Sequence, residues 1–160
     1  MDTPDQPRWL TDEEQPAWIA LAGALMKVPA VLDAQLQRDA GLSYFEYAVL
    51  SWLSMQPERT TRMSDLAELV NSSLSRLSHL ARRLEKQGWL TRRPDPTDGR
   101  YTLATLTEDG WEKVAAAAPG HVEAVRRVVF DPLTKTQVKQ LREVGDRLQR
   151  AADDEAHRPD

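Results

Sequence analysis

Residues 73–106 constrain the fold more than any other stretch, because they prescribe an amphipathic helix, a glycine stop and a tight hairpin in that order. Leu74, Leu77, Ala81 and Leu84 fall at i, i+3, i+7 and i+10, a stripe of helical period that predicts one core-facing side. The rest of the helix carries Ser75, Arg76, His79, Arg82, Arg83 and Lys86. Donors of these kinds reach both phosphate oxygens and the acceptor edges of bases in a major groove. Gly88 falls where a helix needs a left-handed residue to stop. Residues 90–93 and 101–106 then alternate as short strands, joined by PDPTDG, whose prolines and Asp98-Gly99 pair are turn signals.

Upstream, Met63, Leu66, Ala67 and Val70 give a short amphipathic helix over 63–70, closed by Asn71-Ser72-Ser73. Asn tolerates the left-handed conformation and Ser73 is a favoured N-cap, so two helices joined by a tight turn are expected. The order is helix, turn, helix, wing. Capping boxes at Thr11-x-x-Glu14, Ser43-x-x-Glu46 and Thr134-x-x-Gln137, and an N-cap at Thr107, start further helices. The first, over 12–39, places Trp18, Leu21, Leu25, Val28, Leu32 and Leu36 three or four apart, with a kink expected at Pro29. The second, over 43–55, is apolar on one side through Phe45, Ala48, Val49, Trp52 and Leu53 and reads as buried scaffold. Residues 107–154 read as two helices broken at Asp131-Pro132, the first kinked or divided at Pro119-Gly120. Trp52 and Trp111 are expected in the core, and Trp89 where the reading helix meets the wing.

These residues resemble the MarR family of winged helix-turn-helix transcriptional regulators, through SDLAELV, LSRLSHLARRLEKQGWLTRR, PDPTDGR and LTEDGWEKV. The resemblance extends from about residue 18 to 148 and is specific over 64–112. It implies one mostly α domain over residues 1–160 with a small antiparallel β wing: a DNA-binding lobe over 43–106, and dimerisation helices over 12–39 and 107–154 that intertwine about a two-fold axis. It also implies that Asp98-Gly99-Arg100 is the family's Asp-x-Arg wing triplet, with Arg100 on DNA and Asp98 orienting the loop. Gly99 departs from the basic or polar residue common there. A wing tip beside a reading helix meets the minor groove, whose negative potential attracts arginine. The DNA-binding set is thus Ser73, Ser75, Arg76, Ser78, His79, Arg82, Arg83, Lys86, Arg92 and Arg100. The resemblance further implies a cleft for a small aromatic acid, lined here by Trp18, Leu21, Met26, Tyr44, Trp52, Met55 and Arg62, residues that a plain core would also use.

Charge distribution agrees with a single docking face. The net charge is −4, yet residues 72–101 hold seven Lys or Arg against three acids, so the basic patch sits on an acidic body. A chain of 160 residues, 41% of them hydrophobic, suits one domain with a real core. The sequence has no cysteine, which excludes thiolate catalysis and thiol redox sensing. It has no paired-histidine motif for zinc and no GxSxG, GxGxxG or P-loop signature, so neither an enzyme nor a resident metal or cofactor is expected. No 18-residue apolar run is evident and the N-terminus is acidic and Pro-bearing, so a cytoplasmic location without membrane contact is expected. Residues 1–10 and 153–160 read as frayed tails.

The apolar stripes of the first helix and the last two exceed what a helical hairpin covers, so a homodimer is expected. The reading is a cytoplasmic, dimeric, sequence-specific regulator that represses transcription from a pseudo-palindromic duplex, with release by an aromatic effector. The alternative is a winged-helix module whose basic surface contacts protein or RNA.

Overall fold

The computed structural model describes residues 7–158, so the outermost residues of both tails lie outside the described part. The chain divides into two compact units, Met1–Ala118 and Pro119–Asp160. The first contains helices α1 (Glu14–Ala40), α2 (Tyr44–Ser54), α3 (Met63–Leu69) and α4 (Leu74–Lys86), and strands β1 (Thr60–Arg62), β2 (Leu90–Pro94) and β3 (Thr102–Leu106). Helix α5 (Glu108–Val125) crosses the boundary, and the second unit continues through a π-helical turn (Arg126–Phe130) into α6 (Lys135–Ala156). The architecture is mostly helical, with one small antiparallel sheet of order β1-β3-β2.

Local chemistry sets the helix starts. Ser43 Oγ accepts the Glu46 amide at 3.1 Å while Glu46 Oε2 accepts the Ser43 amide at 2.7 Å, and Thr134 and Gln137 repeat the exchange at 3.2 and 2.9 Å. Thr11 and Glu14 make the same reciprocal pair at the head of α1. Two stops follow one rule: Asn71 at φ 48° ends α3, and Gly88 at φ 76° ends α4. In each, the next amide reaches five residues back, Ser72 to the Ala67 carbonyl and Trp89 to that of Leu84.

The core of the first unit gathers Leu36, Leu42, Leu50, Leu53, Leu66, Leu77, Leu84, Leu90 and Ala104, each at most 1% exposed. It fixes α4 under the sheet. Helix α4 buries Leu77, Leu80, Ala81 and Leu84, whereas Leu74, expected in the stripe, is 52% exposed. Leu80, on the edge of α4 nearer Arg76 and Arg83, is buried in its place. Trp52 and Trp111, expected in the core, are each 39% exposed, while Trp89, expected where the reading helix meets the wing, stands between α4 and β2 and packs against the core.

Several other expectations are corrected. Helix α5 is not divided at Pro119-Gly120, just as α1 runs on past Pro29. In both places the carbonyl four residues earlier belongs to an exposed residue, Leu25 or Ala115, where water can replace the missing amide. Helix α6 runs on to Ala156, so residues 153–156 are ordered helix instead of tail. Strand β1 was not anticipated: it has three residues and follows a Pro57–Arg59 turn in which Glu58 and Arg59 take φ 51° and 53°. Finally, α1 contains an 18-residue window of mean hydropathy 1.5, long and apolar enough to cross a membrane by length and composition, although isolated polar residues obscure it in the sequence.

Candidate nucleic-acid interface

Helix α4 presents three distinct sides. Its buried side is the leucine stripe. Opposite lie Ser75, His79, Arg82 and Lys86, spaced four, three and four, all exposed. No ion pair or ring contact engages His79, Arg82 or Lys86 among the described residues. At the head of the helix the Ser73 hydroxyl is committed to capping, accepting the Arg76 amide at 3.2 Å.

The side turned to α2 is occupied. Arg76 lies 4.4 Å above the Phe45 ring, and Arg83 pairs with Glu46. Burial opposes ionisation of Glu46, but the Ser43 amide, Arg83 and the Ser43 hydroxyl outweigh it and hold the carboxyl below its usual range. On the other side, Arg92 of β2 donates to Glu85 at 2.6 Å while its Nε is buried without a partner. Ser78, Leu74, Arg92, Arg100 and Tyr101 line a groove of about 140 Å³ between α4 and the wing.

The wing is held at two levels. At its base, Asp95 accepts Arg62 Nε and Nη2 at 2.9 and 2.8 Å, and Arg62 also lies 4.2 Å over the Tyr101 ring. Asp95 further accepts the Thr97 hydroxyl at 2.7 Å and the Thr97 amide at 2.9 Å. These Thr97 bonds, with help from Arg62, pull the Asp95 carboxyl down to about 2. At the tip, Asp98 accepts the Arg100 backbone amide at 3.2 Å and its guanidinium at 2.7 to 3.2 Å. The side chain of Arg100 is nevertheless 84% exposed. The result is a cationic strip along α4 flanked by a braced arginine-bearing loop.

The MarR family model matches residues 42–102, the segment that builds this lobe. A solved structure of Sco3205, a MarR family transcriptional regulator from Streptomyces coelicolor in complex with DNA, is 44% identical, covers 96% of this chain and 94% of its own, and superimposes with a TM-score of 0.86. The chain belongs to the MarR family. Among curated proteins, the HTH-type transcriptional regulator YdcH of Bacillus subtilis is 36% identical over 49% of this chain, and the transcriptional repressor MprA of Escherichia coli is 26% identical over 71%. Those alignments span 52% and 64% of the two relatives' own lengths.

As a MarR-family transcriptional regulator, the chain brings Ser75, His79, Arg82 and Lys86 together on one face, with Ser78, Arg92 and Arg100 on the wing side and Arg76 and Arg83 on the α2 side. The cleft residues are less united. Trp18, Leu21 and Met26 lie on α1, while Tyr44, Trp52 and Met55 lie along α2 and at its end. Arg62, expected among them, is instead committed to Asp95 and Tyr101 in the wing. Asp95, Glu46 and Phe45 are not among the expected interface residues: Glu46 is expected only as a capping residue and Phe45 only as scaffold. Asp95-Pro96-Thr97 did carry a signal, since Asp two residues before Thr is a common local side-chain turn; nothing in the sequence pairs Glu46 with Arg83, 37 residues away.

Proposed function

We propose that this MarR-family regulator is a homodimer that binds a pseudo-palindromic DNA duplex and represses transcription by blocking promoter access. The observation that carries this reading is the exposed stripe Ser75, His79, Arg82 and Lys86, directly opposite the buried leucines of α4 and beside the braced wing. A helix so mounted can enter a major groove while Arg100 reaches the neighbouring minor groove. Sco3205, the relative solved with DNA, and MprA, the relative described as a repressor, support the reading. No enzymatic step is part of it.

Dimerisation rests on apolar surface left uncovered in one chain. In the first unit Trp18, Ile19, Leu25 and Met26 are 55 to 78% exposed; in the second, Val122, Phe130, Leu141, Val144 and Leu148 are 40 to 54% exposed. Large apolar side chains left exposed together along one helix mark an interaction surface. A second copy covering it also accounts for the hydropathy of α1 without a membrane, in keeping with a cytoplasmic regulator. An aromatic effector would meet Trp18, Leu21, Met26, Tyr44, Trp52 and Met55; of these, the ring-bearing Trp18, Tyr44 and Trp52 are 38 to 55% exposed instead of lying in the core.

Selection of bound duplexes from a random pool tests the function. The expected product is an inverted repeat with half-sites about one helical turn apart. Retention of RNA or protein but of no duplex would favour the interaction-module alternative. Tryptophan fluorescence titrated with salicylate-like acids tests the effector, which should release the selected duplex over the same concentration range.

A further inference from the structure

The two cations on the α2 side of α4 differ from the outward stripe in what they touch. Arg76 and Arg83 are seven residues apart, hence on one edge, and both dock on the first turn of α2: one on the Phe45 ring, the other on the Glu46 carboxylate. Glu46 is no loose surface acid. Its side chain is only 13% exposed, and its second oxygen is committed to the Ser43 amide at 2.7 Å in the capping box. Arg83 is 66% exposed, so a long solvent-facing cation meets an acceptor that is already fixed. The entropy lost on pairing then falls on one side chain instead of two, which favours this pair over an ordinary surface ion pair.

We propose that Glu46 is a positioning residue that withholds Arg83 from the DNA backbone: it ties the C-terminal half of α4 to the start of α2 and removes one cation from the phosphate-contacting set. The inference rests on the DNA-binding reading above and deepens it. Sequence-independent affinity grows with the number of phosphates neutralised, so a tied Arg83 lowers binding to any duplex while leaving the outward stripe to discriminate. Arg83 is thereby separated from Arg82, its neighbour in sequence, which carries the same charge but has no acidic partner among the described residues.

The experiment uses the full chain and a labelled duplex of scrambled sequence about three helical turns long, with affinity followed against salt concentration. Glu46→Gln keeps an acceptor for the Ser43 amide but drops the charge. It should bind more tightly and steepen the salt slope by about one unit per subunit, as for one added phosphate contact. Combining Glu46→Gln with Arg83→Gln deletes a neutral pair and should leave the slope at the wild-type value, whereas Arg82→Gln should lower it by about one unit per subunit. An unchanged slope in Glu46→Gln, or a lowered slope in the double variant, would mean that Arg83 already contacts phosphate, and would overturn the proposal. Guanidinium NMR of the wild-type chain gives a reading that depends on no variant folding: added duplex should shift the Arg82 signal and leave that of Arg83 in place, and movement of Arg83 would overturn the proposal. A wild-type chain that binds no duplex at any salt concentration would instead remove the DNA-binding reading itself.

Discussion

Gly110 stands directly against the backbone of Trp89: a Cβ at that position would lie 2.1 Å from the Trp89 carbonyl oxygen and 2.7 Å from Leu106 Cδ1. The approach is enforced by Thr107, whose hydroxyl donates to the Gly88 carbonyl at 2.6 Å and accepts the Gly110 amide at 3.0 Å. The first turn of α5 is thereby clamped to the end of α4, which makes the Gly of LTEDGW a packing requirement. Gly110→Ala should destabilise the protein by about 1–3 kcal/mol, since backbone cannot yield as a flexible side chain can. Thermal melting checks this, and an unchanged midpoint would show that the helix shifts freely away from the turn.

The wing base should be acid-sensitive in a defined window. Asp95 titrates at about 2 in the folded chain against an ordinary 3.8, so folding favours its ionised form. Its contribution is therefore complete above pH 3.8 and is lost as pH falls through that value towards about 2. Carboxyl NMR should place the Asp95 midpoint near 2. Asp95→Asn should abolish this component of acid unfolding and speed amide exchange in β2 and β3. A midpoint near the ordinary value would mean that Thr97 and Arg62 do not hold the carboxylate in solution.

Reading and docking should separate in mutants. On the selected duplex, His79→Ala should relax preference at particular base pairs, each worth about 1–3 kcal/mol of discrimination where the contact is direct. Arg100→Ala should behave differently, weakening sites with A·T-rich flanks most, because a narrow minor groove concentrates negative potential. Equal losses on every sequence from both changes would reduce the two residues to bulk charge.

The sequence carried the helix–turn–helix–wing order because each boundary has a local chemical cause: Ser73, Asn71, Gly88 and the Asp98-Gly99 turn act on residues within a few positions of themselves. What it concealed is long-range. Strand β1 is only three residues long and is defined by pairing with β3, where Thr60 lies opposite Thr105 with their hydroxyls 2.9 Å apart. Arg62 looked like a polar tip for a cleft and turned out to brace the wing, because its partner is 33 residues away. Pro119-Gly120 leaves α5 undivided for a related reason: the cost of a missing amide depends on whether the orphaned carbonyl sees water, a property of tertiary exposure. Leu74 and Leu80 exchanged places because they flank the Leu77–Ala81–Leu84 line on opposite edges, and which edge is covered depends on where the neighbouring elements pack.

Assembly provides the last prediction. Ile19 on α1 and Val144 on α6 are 63% and 52% exposed in the single chain, and a substitution at a truly free surface position changes stability by no more than about 0.5 kcal/mol. If a second copy covers them, a charge there must be desolvated against apolar surface, and its cost appears as a shift towards monomer. Sedimentation of the wild-type chain at micromolar concentration should therefore give a dimer whose melting midpoint rises with concentration. Ile19→Lys and Val144→Lys should each move the equilibrium towards monomer and weaken binding to the inverted repeat far more than to a single half-site, because the two-fold spacing of the reading helices depends on the dimer. A wild-type monomer with a concentration-independent midpoint would remove the geometric basis for palindromic recognition, and half-site binding by one winged lobe would then be the better account of the α4 stripe.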